Sequence, residues 1–130
     1  MKNRLTAGKH SATIILVNDS YNTQEEEIMR KDVICLGLLD KDSKVQEIGT
    51  LDAYKLASNL FAETTGGATI TEGRGVYTHK NGEVIIEPTL ICTVYGSDDQ
   101  TIRSTADLLK IAFNQESVVI ETSESNSIFY

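Results

Sequence analysis

A single carboxylate interrupts an apolar run in this chain: Glu87 follows Val84-Ile85-Ile86 and precedes Pro88-Thr89-Leu90-Ile91. Among apolar neighbours a carboxylate carries a heavy desolvation cost unless something partners it. One solution is structural, an ion pair or hydrogen bond, with Arg74 across a hairpin as the candidate. The other is functional, with Glu87 anchoring a ligand or acting as a general base on an open sheet face. Arg74 lies between Gly73 and Gly75, so an anion could approach its guanidinium and the backbone together. Tyr77 and Tyr95 offer rings on which a base could stack, although buried tyrosines with a satisfied hydroxyl also explain them. Gln115-Glu116-Ser117 falls at a helix-to-strand junction, where such side chains commonly tie off backbone groups. Beside Glu87 and Tyr77 the same three would complete a polar cluster able to grip a small ligand. The candidate ligand-binding set is therefore Arg74, Tyr77, Glu87, Tyr95, Gln115, Glu116 and Ser117.

Other chemistries lack their residues. His10 and His79 have no cysteine or carboxylate at a metal-binding spacing, so neither a metal nor a cofactor is expected. Gly66-Gly67-Ala68-Thr69 leads from a helix into a strand, the reverse of a phosphate loop, and reads as a helix stop. Neither a Gly-x-Ser-x-Gly elbow nor a serine, histidine and acid arrangement is present.

The elements that must position these residues follow from periodicity and turn chemistry. Ala12 to Val17 is β-branched and reads as an N-terminal strand ending at Asn18-Asp19-Ser20. Residues 21 to 32 fit a short helix or a solvated loop equally. Val33 to Leu39 is almost wholly apolar and short, the pattern of a strand near the middle of a sheet. Thr50 is placed to cap a helix with Leu51, Tyr54, Ala57, Leu60 and Phe61 on its buried face. Ala68 to Thr78 reads as a strand, and Asn81-Gly82 turns it directly into another at Glu83 to Tyr95. There Val84, Ile86, Pro88, Leu90, Cys92 and Val94 form the core face, with Pro88 predicting a bulge or break. Ser97-Asp98-Asp99-Gln100 opens a second helix whose stripe is Ile102, Thr105, Ala106, Leu109 and Phe113. A last strand over Ser117 to Thr122 leaves a tail, 123–130, with an apolar tip that is either frayed or docked.

From Val33 onward the order is β-α-β-β-α-β, the pattern of a ferredoxin-like α+β fold, an antiparallel sheet with two helices on one face and an extra N-terminal strand. A single domain, 1–130, is expected, with residues 12–17 as the added strand and 33–122 as the core. The face opposite the helices would carry Ile85, Ile91 and Tyr95, so a second copy or the N-terminal strand is expected to cover it.

Two segments carry a resemblance. Gly75-Val76-Tyr77 with Asn81-Gly82 and Glu87, and Phe113-Asn114-Gln115-Glu116-Ser117-Val118, resemble a small bacterial family known only as a domain of unknown function. Tyr77 stands where the family pattern has tryptophan, and the strand and acidic segment before residue 32 are additional. The resemblance implies the fold and selects residues, and it brings no activity with it.

Composition narrows the partners. The 130 residues carry a net charge of -7, with no cluster of bases, which disfavours extended nucleic acid. No apolar run approaches the ~20 residues that cross a bilayer, and Met1-Lys2-Asn3-Arg4-Leu5-Thr6 lacks a signal-peptide core. Cys35 and Cys92 sit in strand-like runs as small hydrophobes, consistent with reduced thiols in the cytoplasm, although a bridge is possible if their strands are neighbours. The leading functional expectation is a homodimeric binding protein that holds a small polar, anionic or nucleotide-like ligand on the mixed sheet face. The alternatives are a small enzyme in which Glu87 moves a proton while Arg74 or Tyr77 steadies negative charge, and a structural self-association module.

Overall fold

The structure is a computed structural model that describes the backbone of residues 12–18 and 23–130, and side chains from Ile28 onward. Its elements are β1 (Ala12–Asn18), β2 (Thr23–Gly37), α1 (Thr50–Thr64), β3 (Thr69–Thr78), β4 (Val84–Tyr95), α2 (Asp99–Ala112) and β5 (Val119–Ser127). β2 pairs antiparallel with β4 along one edge and with β5 along the other, and β3 completes the sheet beyond β4. The order β5-β2-β4-β3 with two helices is the ferredoxin-like α+β fold.

Glu27, Ile28 and Met29 pair with both β1 and β5, so those two strands occupy opposite edges of β2. β1 therefore continues the sheet in its own plane, past the end of β4. It does not cover the mixed face, which corrects one of the two expectations for that surface. The segment 21–32, open between helix and loop in the sequence, belongs to β2 from Thr23 onward.

The core lies between the sheet and the helices. Ile34, Leu36 and Leu38 of β2 and its extension, with Leu90, Cys92 and Val94 of β4, meet Ala53, Ala57 and Phe61 of α1 and Ile102, Leu109 and Phe113 of α2. Every side chain of the α2 stripe is buried as expected, and Asp98 caps that helix by accepting the Thr101 amide at 2.7 Å. α1 is rotated from its expected face. Its sheet-facing row is Ala53, Ala57 and Phe61, whereas Leu51 and Tyr54 are exposed. Small residues at i and i+4 let a helix approach the sheet closely, and bulk alone misled the choice of face. Thr50 does not cap α1 either: Gly49 holds the N-cap position, and the Thr50 hydroxyl accepts from the Gln46 amide at 2.9 Å.

Along β4 the core face begins only at Pro88. Val84 and Ile86 are exposed, because the β3–β4 hairpin projects past the ends of β2 and both helices. Pro88 introduces no bulge, since the register from Thr69↔Thr93 to Thr78↔Val84 is unbroken. The reason is positional. The Pro88 carbonyl accepts the Leu38 amide, so its nitrogen also points toward β2, whose ladder with β4 has ended at Gly37. The missing donor therefore falls at the very end of the ladder, where a proline disturbs the pairing least. Cys35 and Cys92 project from opposite faces and are free, which rules out the bridge, and burial, then the nearby Cys35, pushes the Cys92 thiol up to about 12.

Candidate functional site

Odd-numbered residues of β3 and β4 and of the end of β2 face away from the helices. On that face the sheet surface and its flanking loops enclose an open cleft of about 1050 Å³. Its floor is Cys35 and Gly37 of β2 with Glu87 and Thr89 of β4. One wall is the projecting hairpin, with Tyr77, His79 and Ile85, and the other comprises Lys41 and Lys44 of the β2–α1 loop and Glu116 and Ser117 of the α2–β5 connection.

Glu87 is half-buried, and its partner is a backbone amide: Oε2 accepts the Leu39 N–H at 2.8 Å. The Leu39 carbonyl in turn accepts the Gln115 side-chain amide at 2.7 Å. Both polar groups of one peptide-chain residue are thus held, one from β4 and one from the end of α2. A charge-assisted bond of this kind contributes about 1.5–3 kcal/mol. Among the described residues, no donor bonds Oε1, which leaves that oxygen for a ligand.

The loop carrying the two lysines is closed by Asp40. Its Oδ2 accepts the amides of Asp42 and Ser43, both at 2.9 Å, and its Oδ1 accepts the Asn114 amide at 2.9 Å. Those bonds, that from Ser43 first, hold the Asp40 carboxyl below the usual carboxylate range, so it stays ionised. Lys44 takes a left-handed φ of 66° as the loop turns back, donating its amide to the Asp40 carbonyl.

Tyr77 is 43% exposed and packs edge-to-face with His79, ring centroids 5.5 Å apart. Partial burial, then the Glu87 charge, raises its pKa, so the phenol remains a hydrogen-bond donor at neutral pH rather than a base.

Five of the seven residues selected from sequence meet here: Tyr77, Glu87, Gln115, Glu116 and Ser117 all line the cleft. Two do not. Arg74 pairs with Pro88 in register while Glu87 pairs with Gly75, so the arginine projects from the helix-side face and is exposed. It neither neutralises Glu87 nor reaches the cleft. Tyr95 shares the mixed face but stands eight residues further along β4, about 26 Å away at the strand rise; Lys31 Nζ lies 5.8 Å from its ring centroid. With Met29, Ser127, Ile128 and Phe129 it lines a separate, smaller cleft, so the tail folds back as far as Phe129. Sequence reasoning missed Gly37, Leu39, Thr89, His79 and the two loop lysines. For Gly37 a signal existed, because it shares strand parity with Cys35. The other contacts depend on a register that spacing does not define. Among the described residues no cluster of three metal-ligating side chains forms, and no helix is long and apolar enough to cross a membrane.

The fold and the cleft belong to the broad class of ferredoxin-like α+β domains with an open site on the uncovered sheet face. Within that class, a solved structure of a phage SAM lyase in complex with S-methyl-5'-thioadenosine is similar to this chain, with a TM-score of 0.55 over 78% of this chain and 92% of that one, at 18% identity. A phage SAM lyase in its apo state gives a TM-score of 0.55 over 75% and 81%, at 22% identity. At these identities the likeness is one of fold. No protein-family model matches the chain, and no curated protein matches it.

Proposed function

We propose that the cleft beside Glu87 binds S-adenosylmethionine and that the chain cleaves it at the sulfonium, releasing methylthioadenosine. The observation that carries this reading is Glu87 itself, a carboxylate fixed by the Leu39 amide on the floor of an open cleft, with one oxygen unbonded and a neutral tyrosine nearby. A sulfonium is a compact cation bonded only to carbon. It offers no hydrogen bond, so a fixed carboxylate is the natural group to recognise it. Tyr77 and His79 supply a ring surface for the adenine, and Lys41 and Lys44 supply cations for the methionyl carboxylate. The name and ligand of the similar phage proteins support the same ligand class.

The proposed reaction balances without a co-reactant. The bond between sulfur and the methionyl γ-carbon breaks with its electron pair going to sulfur, which becomes the neutral thioether of methylthioadenosine. The methionyl carboxylate closes onto that carbon, forming a carbon–oxygen bond and a lactone. Two opposite charges vanish together, a change that a partly desolvated cleft favours over water.

Incubation of the protein with S-adenosylmethionine, followed by chromatography, tests the reading. Methylthioadenosine forming in proportion to protein supports it. Saturable binding without product reduces it to a binding protein, and neither binding nor product ends it. The proposal includes self-association over the uncovered mixed face, for which light scattering should give a mass that is a multiple of 14.3 kDa; a monomer at micromolar concentration would remove that part alone.

A further inference from the structure

We propose that Gly37 is a positioning residue for Glu87: its absent side chain is the space through which the carboxylate reaches across β2 to the Leu39 amide. A Cβ at position 37 would lie 2.5 Å from the Glu87 Cδ, 2.5 Å from Oε2 and 2.6 Å from Oε1. These separations are far inside van der Waals contact. The backbone at Gly37 is ordinary strand, paired with Thr89, so its conformation would accept any residue. Only the carboxylate excludes one.

Two further glycines extend the pattern on the other side of β4. Gly73 and Gly75 of β3 pair with Thr89 and Glu87. A Cβ on Gly75 would lie 3.1 Å from the Thr89 hydroxyl oxygen, and one on Gly73 would lie 3.0 Å from the Ile91 Cδ1. Glu87 and Thr89 therefore occupy a trough whose banks carry no side chains. Glycine weakens a strand relative to alanine, and here it stands on both flanks of the residue that defines the cleft. With Gln115 holding the Leu39 carbonyl and Glu87 holding its amide, the direction of the carboxylate is set by β2, and Oε1 is left for the ligand. That last consequence rests on the proposed function; the positioning of Glu87 does not.

The test is a cycle of Gly37→Ala and Glu87→Ala, with Gly67→Ala as a control because a Cβ there meets nothing within 4 Å. In the presence of Glu87, Gly37→Ala should lower the melting temperature by about 4 °C or more. In the Glu87→Ala background it should be neutral or raise it, since the clash is gone and alanine is the better strand residue. Should Gly37→Ala fail to fold, recovery of folding in the double variant gives the same answer. The Leu39 amide should exchange slowly with solvent deuterium in the parent protein, where Glu87 accepts it, and faster in Gly37→Ala. With S-adenosylmethionine, Gly37→Ala should reduce kcat/KM at least about ten-fold and cause no further loss once Glu87 is alanine. Equal changes in melting temperature in both backgrounds, or a Leu39 amide that remains as protected in Gly37→Ala as in the parent protein, would overturn the inference. If the stability effect reverses as described while the parent protein neither binds nor cleaves S-adenosylmethionine, the proposed function fails and the positioning role stands.

Discussion

Glu87→Gln should lower kcat/KM for S-adenosylmethionine at least about thirty-fold while leaving the affinity for methylthioadenosine within a few-fold. Glutamine keeps the size of the side chain and can still accept the Leu39 amide, so the site retains its shape. What it loses is the charge. Removing one member of a close, partly buried charge pair costs about 2–5 kcal/mol, and ~1.4 kcal/mol corresponds to ten-fold. Methylthioadenosine is the neutral thioether of the same nucleoside, so it reports shape without charge. Titration calorimetry on both ligands separates the two effects. An equal loss for both would mean that Glu87 acts through packing, and no loss for either would remove it from the site.

Asp32→Ala should destabilise the fold by about 3–5 kcal/mol without touching the cleft. Asp32 is fully buried on the helix side of β2. Its Oδ2 accepts Arg30 Nε at 2.7 Å, and its Oδ1 accepts Arg30 Nη2 at 3.1 Å and the Thr122 hydroxyl at 2.7 Å. Arg30 also donates to Asp99 Oδ1 at 2.9 Å, in the first turn of α2. One buried carboxylate thus ties β2 to β5 and, through Arg30, to the start of α2. Deleting it leaves a guanidinium only 14% exposed with Asp99 as its remaining charged partner. Urea denaturation should show the midpoint falling with an unchanged slope. A loss below 1 kcal/mol would mean that the network orders α2 without stabilising the fold. The exposed Arg103–Asp99 pair differs in kind, because solvent screens both members and such pairs contribute little.

These two carboxylates show which parts of the molecule were legible in the sequence. The hairpin at Asn81-Gly82 and the stripe of α2 were readable because each is local: Gly82 takes the positive φ of 87° that the turn requires, and Ile102, Thr105, Ala106 and Leu109 recur at helical spacing, whereas the N-cap is Asp98, one residue beyond the Ser97 that opens the Ser-x-x-Gln pattern. Glu87 was legible as an anomaly, a charge in an apolar strand, and its face was correctly read as the one turned from the helices. Its partner was not. Leu39 and Gln115 lie 48 and 76 residues from their respective partners, Glu87 and Leu39, and no local rule joins them. Arg74 was misassigned for a related reason. A slip of one residue in the β3–β4 register exchanges the two faces, and only the observed pairing of Gly75 with Glu87 decides which residue shares the carboxylate's side. For Tyr95 the parity was right and the distance was not. Asp32 drew no attention because its apolar surroundings come from helices packed over it, a relation invisible in the strand alone.

The glycines tell a similar story. Read along β3, Gly73 and Gly75 suggested an approach of an anion to Arg74 and the backbone; read across the sheet, they and Gly37 clear the space around Glu87 and Thr89. Their meaning lies in what the neighbouring strand presents.

Amide shifts in an NMR titration with methylthioadenosine test the central claim most directly. Binding in the cleft predicts saturable changes at Leu39, Tyr77 and Ser117 to Val119, with Tyr95 and Phe129 unmoved. Changes confined to Tyr95 and Phe129, or none at millimolar ligand, would contradict it.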